Sequence, residues 1–246
     1  MDLKIKDVAE LLNVSESTIR RWISEGKIPN YRINQHYYFS RTEIENWVIS
    51  HKLDKTTEGV SPFMHRKETE PLSAAPVSRS PNTTGGIKQF SLFRAIHKGD
   101  VLHHLKGQTK EEIIRTTMRK VAKLLHIDAD VMTDLLLDRE NLMPTALNNG
   151  IAVPHTRDSL LHGHHDVVIV VFLNEPLEYG ALDGHPVHTL FFLFACEDKR
   201  HLHLLAKIAH LSGQTHMREF FQTQPSKEQL LSFVKDWESQ IPQVNH

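Results

Sequence analysis

Gly150-Ile151-Ala152-Val153-Pro154-His155, running on into Thr156-Arg157, is the most informative stretch of the chain. A short apolar segment ends in a proline, whose ring fixes its own φ near −65°. A histidine follows directly, so its ring is held rigidly where the segment reaches the surface. An imidazole with an ordinary pKa of about 6.5 offers a nucleophilic nitrogen near neutral pH without an activating base. A Pro-His pair alone does no more than end a strand. The flanking Asp138-Arg139-Glu140 and Pro144-Thr145 give this one a chemical setting.

Working outward, Thr109-Lys110-Glu111-Glu112 reads as a capping box before a helix with Ile114, Met118, Val121, Ala122 and Leu125 on one face. A second helix carries Met132, Leu135 and Leu136 into Asp138-Arg139. Residues 166–173 and 187–194 are short, β-branched or aromatic runs that fit buried strands, with a turn at Asp183-Gly184 between them. Another helix follows from His201, and Ser226-Lys227-Glu228-Gln229 opens a last one with Leu230, Phe233, Val234 and Trp237 inward.

From about Phe90 to Asp236 this series closely resembles the enzyme IIA domains of the bacterial sugar phosphotransferase system, in the fructose, mannitol and nitrogen-regulatory branch. The resemblance implies an α/β fold, a sandwich around a mixed sheet. It also implies that His155 takes a phosphoryl group from a histidine-containing phosphocarrier protein, with His201 across the pocket and Arg139 near the incoming oxygens. Arg157 is a second-rank candidate. A transferring phosphoryl group spreads charge over its equatorial oxygens, and a planar guanidinium fork matches them. Mannitol-type members carry a glutamate two residues before the Ile-Ala-Val-Pro-His run. Here Asn148-Asn149-Gly150 stands instead, nearer the nitrogen-regulatory members, as is His201-Leu202-His203-Leu204. Nothing resembles the IIB or membrane IIC modules of a sugar permease, which favours regulation over transport.

The first fifty residues supply a second module. Ile5, Val8, Ala9 and Leu12 share one helix face, and Asn13-Val14-Ser15 makes a turn with Ser15 as N-cap. Ile19, Trp22 and Ile23 point inward from the next helix, which Gly26 ends. Residues 28–39 read as two strands about Asn34-Gln35, a wing. Ser40-Arg41-Thr42-Glu43 then caps a helix with Ile44, Trp47 and Val48. Val8 to Ser15, Thr18 to Trp22 and Gly26 to Pro29 resemble the excisionase and MerR-like winged helix-turn-helix family. The second helix of that family enters the major groove. Arg20, Arg21 and Lys27 are then candidate phosphate contacts, Ser17 and Arg20 candidate base contacts, with Gln35 and His36 at the wing tip. The first 53 residues hold eight basic and seven acidic side chains, a weak excess for a nucleic-acid binder. A dimer or a protein partner would be needed, or else the module docks on protein.

The boundaries read from the sequence are 1–53 for this winged module, 54–88 for a linker rich in Pro, Ser and Thr, and 89–240 for the IIA-like domain. The stretch from Thr56 to Gly86, a mobile tether of about 31 residues, spans roughly 30 Å, at which a phosphoryl charge barely perturbs a DNA contact. Coupling would then require a change of oligomeric state or of a partner bound around His155. The chain has 246 residues, a net charge of −1 and one cysteine, Cys196, so an intrachain disulfide is excluded and a reducing cytoplasm fits. There is no membrane-length apolar stretch, and the N-terminal residues do not read as a signal peptide. His162, His164 and His165, with His201, His203 and His210, lack the spacing of a structural metal motif, and no cofactor or metal is expected. The overall expectation is a cytoplasmic phosphocarrier regulator that binds DNA. The alternatives are a phosphorylation-dependent scaffold and a carrier serving a permease.

Overall fold

The computed structural model describes residues 2–12, 14–34, 36–50, 91–156, 165–214 and 216–241. The candidate residues Gln35, Arg157, His162 and His164, and the 54–88 linker, lie outside the described residues.

The larger domain is organised by two strands whose side chains are apolar on both faces. They are β6 (Val167–Leu177) and β7 (Val187–Phe194), and they pair antiparallel with Val167 opposite Phe194 and Leu177 opposite Val187. β4 (Val101–Leu105) lies parallel to β6, and β5 (Ile151–Ala152) parallel to β7, giving a mixed sheet of order β4-β6-β7-β5. Because strand side chains alternate, Ile169, Val171, Leu190, Phe192 and Phe194 pack under α5 (Lys110–Leu125) and α6 (Ala129–Leu142). Val168, Val170, Phe172, Phe191 and Leu193 face the opposite layer: α4 (Ser91–Lys98), α7 (Asp198–Ser212), α8 (Met217–Gln222) and α9 (Lys227–Gln240). The result is the expected α/β sandwich.

In this domain the caps read at Thr109 and Ser226 are found where their chemistry puts them. Thr109 Oγ1 accepts from the Glu112 amide at 3.2 Å, and the full reciprocal box forms at Ser226 and Gln229. At Thr109 only half the box forms, because the Glu112 carboxylate accepts from the Gln108 amide instead, at 2.7 Å. The elements α4, β4, β5 and α8 were not legible in advance, being short or weakly patterned.

In the smaller domain, α1 (Ile5–Leu12) buries Val8, Ala9, Leu11 and Leu12, and α2 (Glu16–Ser24) buries Ile19 and Trp22. Ser15 Oγ caps α2, accepting from the Thr18 amide at 3.2 Å, and Gly26 adopts φ 65° just beyond its end. The wing is β2 (Tyr31–Ile33) and β3 (His36–Ser40), turning through Asn34 at φ 46°. An unexpected strand, β1 (Asp2–Lys4), adds to β3 and makes a three-stranded sheet. The indole N–H of Trp47, on α3 (Arg41–Ser50), donates to the Lys27 carbonyl at 2.7 Å and locks the helix to the start of the wing.

The two domains are in contact. α1 and α3 pack on α7, and one apolar cluster runs from Val8, Leu11 and Ile44 into Leu204, Leu205 and Ile208. The picture of two modules communicating only across a tether of about 30 Å is therefore corrected for this form, because buried apolar surface holds them together.

Candidate functional site

The His155 segment is presented by a tight reversal. Leu147 donates to the Ile151 carbonyl at 2.7 Å and Val153 to the Thr145 carbonyl at 3.0 Å, while the chain turns through Asn149 at φ 63° and Gly150 at φ 73°. A Cβ on Gly150 would stand 2.6 Å from the His188 ring and 2.9 Å from the Pro186 carbonyl, so backbone and space both require glycine. The Leu193 amide then donates to the Pro154 carbonyl at 3.0 Å, pinning the segment beside β7.

His155 is fully buried and not at the surface its sequence position suggested, and its Nδ1 lies 2.7 Å from the Val153 carbonyl. A carbonyl oxygen only accepts, so Nδ1 carries a proton, and the uncharged form of the ring has its lone pair on Nε2. His201, in the first turn of α7, faces it with ring centroids 5.1 Å apart. Burial, and then His155 and the Arg41 and Arg139 guanidinium groups, hold the His201 pKa well below the ordinary imidazole value, so this ring is neutral.

Arg139, in the last turn of α6, is buried. It donates to the Met143 carbonyl at 3.0 Å and to Asn46 Oδ1 at 3.4 Å. The first contact is the helix-end role open to any such cation; the second reaches into the other domain. Beside it Glu140 is buried and accepts from the Thr145 amide and hydroxyl and from Lys110 Nζ, tying the end of α6 to the His155 segment.

Three residues from the N-terminal domain enter the same pocket, and sequence reasoning missed them. Glu45 is 1% exposed, with Oε1 3.6 Å from His201 Nε2 and 3.0 Å from Arg41 Nε. Arg41 also reaches Asp198 at 2.6 Å, and Asn46 meets Arg139. The available signal was a charge among apolar neighbours. Ile44 and Val48 make one buried stripe of α3, while Arg41, Glu45 and Ile49 repeat at four-residue spacing along another.

Ligand atoms of Glu45, His155 and His201 all lie within 4.8 Å of one another, a spacing that a metal ion could use. The field argues against a cation. The histidines are neutral ligands, and the Arg41 guanidinium already offsets the carboxylate, with Arg139 adding a further positive charge. The pocket is better matched to an anion.

On the other domain, Ser17, Arg20, Arg21 and Lys27 are exposed. Arg20 lies 3.7 Å from Glu16, and Lys27 2.9 Å from Glu25, so nearby carboxylates offset part of the basic charge. Arg20 and His36 share a cleft with Lys4, Lys6, Tyr37 and Tyr38. The two lysines come from β1 and its junction with α1, and folding brings them beside α2 and the wing. No helix among the described residues is long and apolar enough to cross a membrane.

Residues 94–237 match the family described as "Phosphoenolpyruvate-dependent sugar phosphotransferase system, EIIA 2", and residues 3–52 match a helix-turn-helix domain family. The chain is 33% identical over 141 residues to a nitrogen regulatory protein of Pseudomonas aeruginosa, covering 56% of this chain and 90% of the relative. It is also 33% identical over 137 residues to the nitrogen regulatory protein of Escherichia coli K12, covering 53% and 81%. Against a mannitol-specific enzyme IIA component of Geobacillus stearothermophilus identity drops to 25% over 142 residues, covering 57% and 95%. The crystal structure of nitrogen regulatory protein IIA-Ntr from Neisseria meningitidis shares the fold, with a TM-score of 0.50, 24% identity, and coverage of 58% of this chain and 94% of that one. The α/β sandwich, the family match and the relatives agree: the chain belongs to the EIIA 2 family of the phosphotransferase system, on its nitrogen-regulatory side, and carries a helix-turn-helix domain at its N-terminal end.

Proposed function

We propose that the protein is a cytoplasmic regulatory phosphocarrier, which accepts a phosphoryl group on His155 from a histidine-containing phosphocarrier protein and couples that event to DNA binding by its N-terminal domain. The observation that carries the reading is the Nδ1 contact of His155 with the Val153 carbonyl, which leaves Nε2 as a nucleophile beside a second, neutral histidine. Nε2 attacks phosphorus as the donor's P–N bond breaks, and that bond's electron pair returns to the donor ring. Arg139 and the His201 ring then stabilise charge on the phosphoryl oxygens, a task that asks for positioned donors and little covalent work.

For the DNA-binding half, the exposed side chains of α2 and the cleft holding Lys4, Lys6, Arg20 and His36 support a contact with a phosphate backbone. The near balance of charge supports weak binding by one copy, which a homodimer would strengthen by supplying a second half-site. The scaffold alternative draws support from a different observation: α1 and α3 already make a protein contact, with α7.

Intact-mass spectrometry after incubation with phosphoenolpyruvate and the general phosphotransfer proteins tests the first half. Acid-labile phosphate on His155 is the expected result, and its absence would end the phosphocarrier reading. Gel-shift selection from random duplexes tests the second half, and no retained duplex at low salt would leave the scaffold.

A further inference from the structure

We propose that α3 is an intramolecular plug: the Glu45 carboxylate holds the place a phosphoryl group on His155 would take, so docking of the N-terminal domain and phosphorylation of His155 exclude each other. The inference rests on His155 being the acceptor, and it assigns a regulation to that site.

Access comes first. His155 has no exposed surface and His201 is 4% exposed, while Glu45 and Asn46 from α3 reach the His201 and Arg139 side of the pocket. In-line transfer needs the donor's phosphorus to approach Nε2 within a few ångströms. A donor protein has no such approach in this closed form, so the N-terminal domain must lift for the reaction to begin.

Charge comes second. The carboxylate beside the two histidines, Glu45, is supplied by the other domain, and it sits near groups suited to an anion: Arg41, Arg139 and the histidines themselves. A phosphoryl group carries a charge of about −1.5 to −2 at neutral pH, more than a carboxylate. When Nε2 takes it from the donor, that charge arrives within a few ångströms of the Glu45 position, and the two like charges repel. The phosphorylated pocket therefore does not readmit Glu45.

The contact is also latched away from the histidines. Lys199 Nζ, on α7, lies 2.7 Å from Asp7 Oδ1, on α1, and Arg41 lies 2.6 Å from Asp198. Docking leaves α2 outside the interface, with the Arg20 side chain 64% exposed. The plug therefore gates the phosphorylation site rather than hiding the DNA-facing helix. By linkage, whatever favours the lifted domain also favours phosphorylation, and the reverse.

The test uses the full chain with phosphoenolpyruvate, the general phosphotransfer enzyme and its histidine carrier protein. Phosphate on His155 is followed by mass spectrometry and molecular dimensions by small-angle scattering. Wild type should expand as it becomes phosphorylated. Glu45→Ala should speed initial phosphorylation on the order of tenfold, since the buried approach of Glu45 to His201 across the two domains exists in the closed form alone. Lys199→Glu, which breaks a partly exposed latch, should speed it about two- to fivefold. Asp7→Lys added to Lys199→Glu should restore the slow rate by re-forming the pair in reverse, an outcome that misfolding or a direct effect on chemistry does not produce. Complete phosphorylation of His155 without expansion, at one rate in all variants, would overturn the plug and leave the phosphocarrier standing. No phosphate on His155 in any variant would overturn both.

Discussion

Nδ1 of His155 and the carbonyl oxygen of Val153 lie 2.7 Å apart, two residues along the same chain, and this contact chooses the reactive nitrogen. Phosphate is expected on Nε2, with the Nδ1 proton retained. Phosphorus–nitrogen couplings in labelled protein distinguish the two isomers, and phosphate on Nδ1 would mean that the Val153 contact breaks during transfer. His155→Ala should incorporate no phosphate while keeping its circular dichroism spectrum. Undiminished incorporation would move the acceptor elsewhere.

Arg139→Ala and His201→Ala should each slow phosphorylation by ~10²–10³ without abolishing it, because one electrostatic donor is removed while the nucleophile remains. Arg139 also holds the Met143 carbonyl, so Arg139→Lys, which keeps the charge but not the planar fork, should fall between. Single-turnover rates from the phosphorylated carrier check this, and wild-type rates in both alanine variants would exclude the two residues from the pocket's chemistry.

Gly150→Ala should destabilise the larger domain. The left-handed backbone at φ 73° alone costs about 1–2 kcal/mol for a residue with a Cβ. The approach to the His188 ring and the Pro186 carbonyl adds to that. Urea denaturation reads the loss, which Gly184→Ala should show only in its backbone part, since nothing lies within 4 Å of a Cβ there. Equal losses in the two variants would show that the clash at Gly150 is relieved.

Mild acid should weaken the closed protein. His201 is held neutral in the fold, chiefly by burial and then by His155, Arg41 and Arg139, while the unfolded ring protonates near its ordinary value of 6.5. Below that value the unfolded chain binds the proton first. The contribution from His201 is thus complete above pH 6.5 and is lost progressively as pH falls toward the lowered folded value. Melting temperature should drop on acidification from pH 7, and His201→Gln should flatten that part of the curve. An unchanged slope in the variant would assign the acid sensitivity to other groups, such as His188, whose pKa burial also lowers.

If Arg20 and Arg21 contact DNA phosphates, Arg20→Ala and Arg21→Ala should each reduce the slope of log affinity against log salt by about one unit. Lys4→Ala and Lys6→Ala should do the same if the cleft they share with Arg20 tracks the backbone. Slopes that stay constant across all four variants would remove α2 and the cleft from any DNA contact.

What the sequence determined by itself was local. Cap residues, β-branched runs and turn glycines act over a few positions, so Ser15, Ser226, Gly26, Gly184 and the runs at 166–173 and 187–194 could be read directly. The Ile-Ala-Val-Pro-His run carried the family resemblance in the same way, because a rigid backbone and a reactive ring sit in six consecutive residues. Tertiary structure alone decided what surrounds that ring. Asp7 meets Lys199 across 192 positions, and Arg139 meets Asn46 across 93. An ion pair at such a separation leaves no period, spacing or composition to detect. Glu45 reads in sequence as one more helix-surface charge; it becomes a buried anion beside His201 only because apolar faces of α1 and α3, each half-satisfied within its own domain, find the remaining cover on α7.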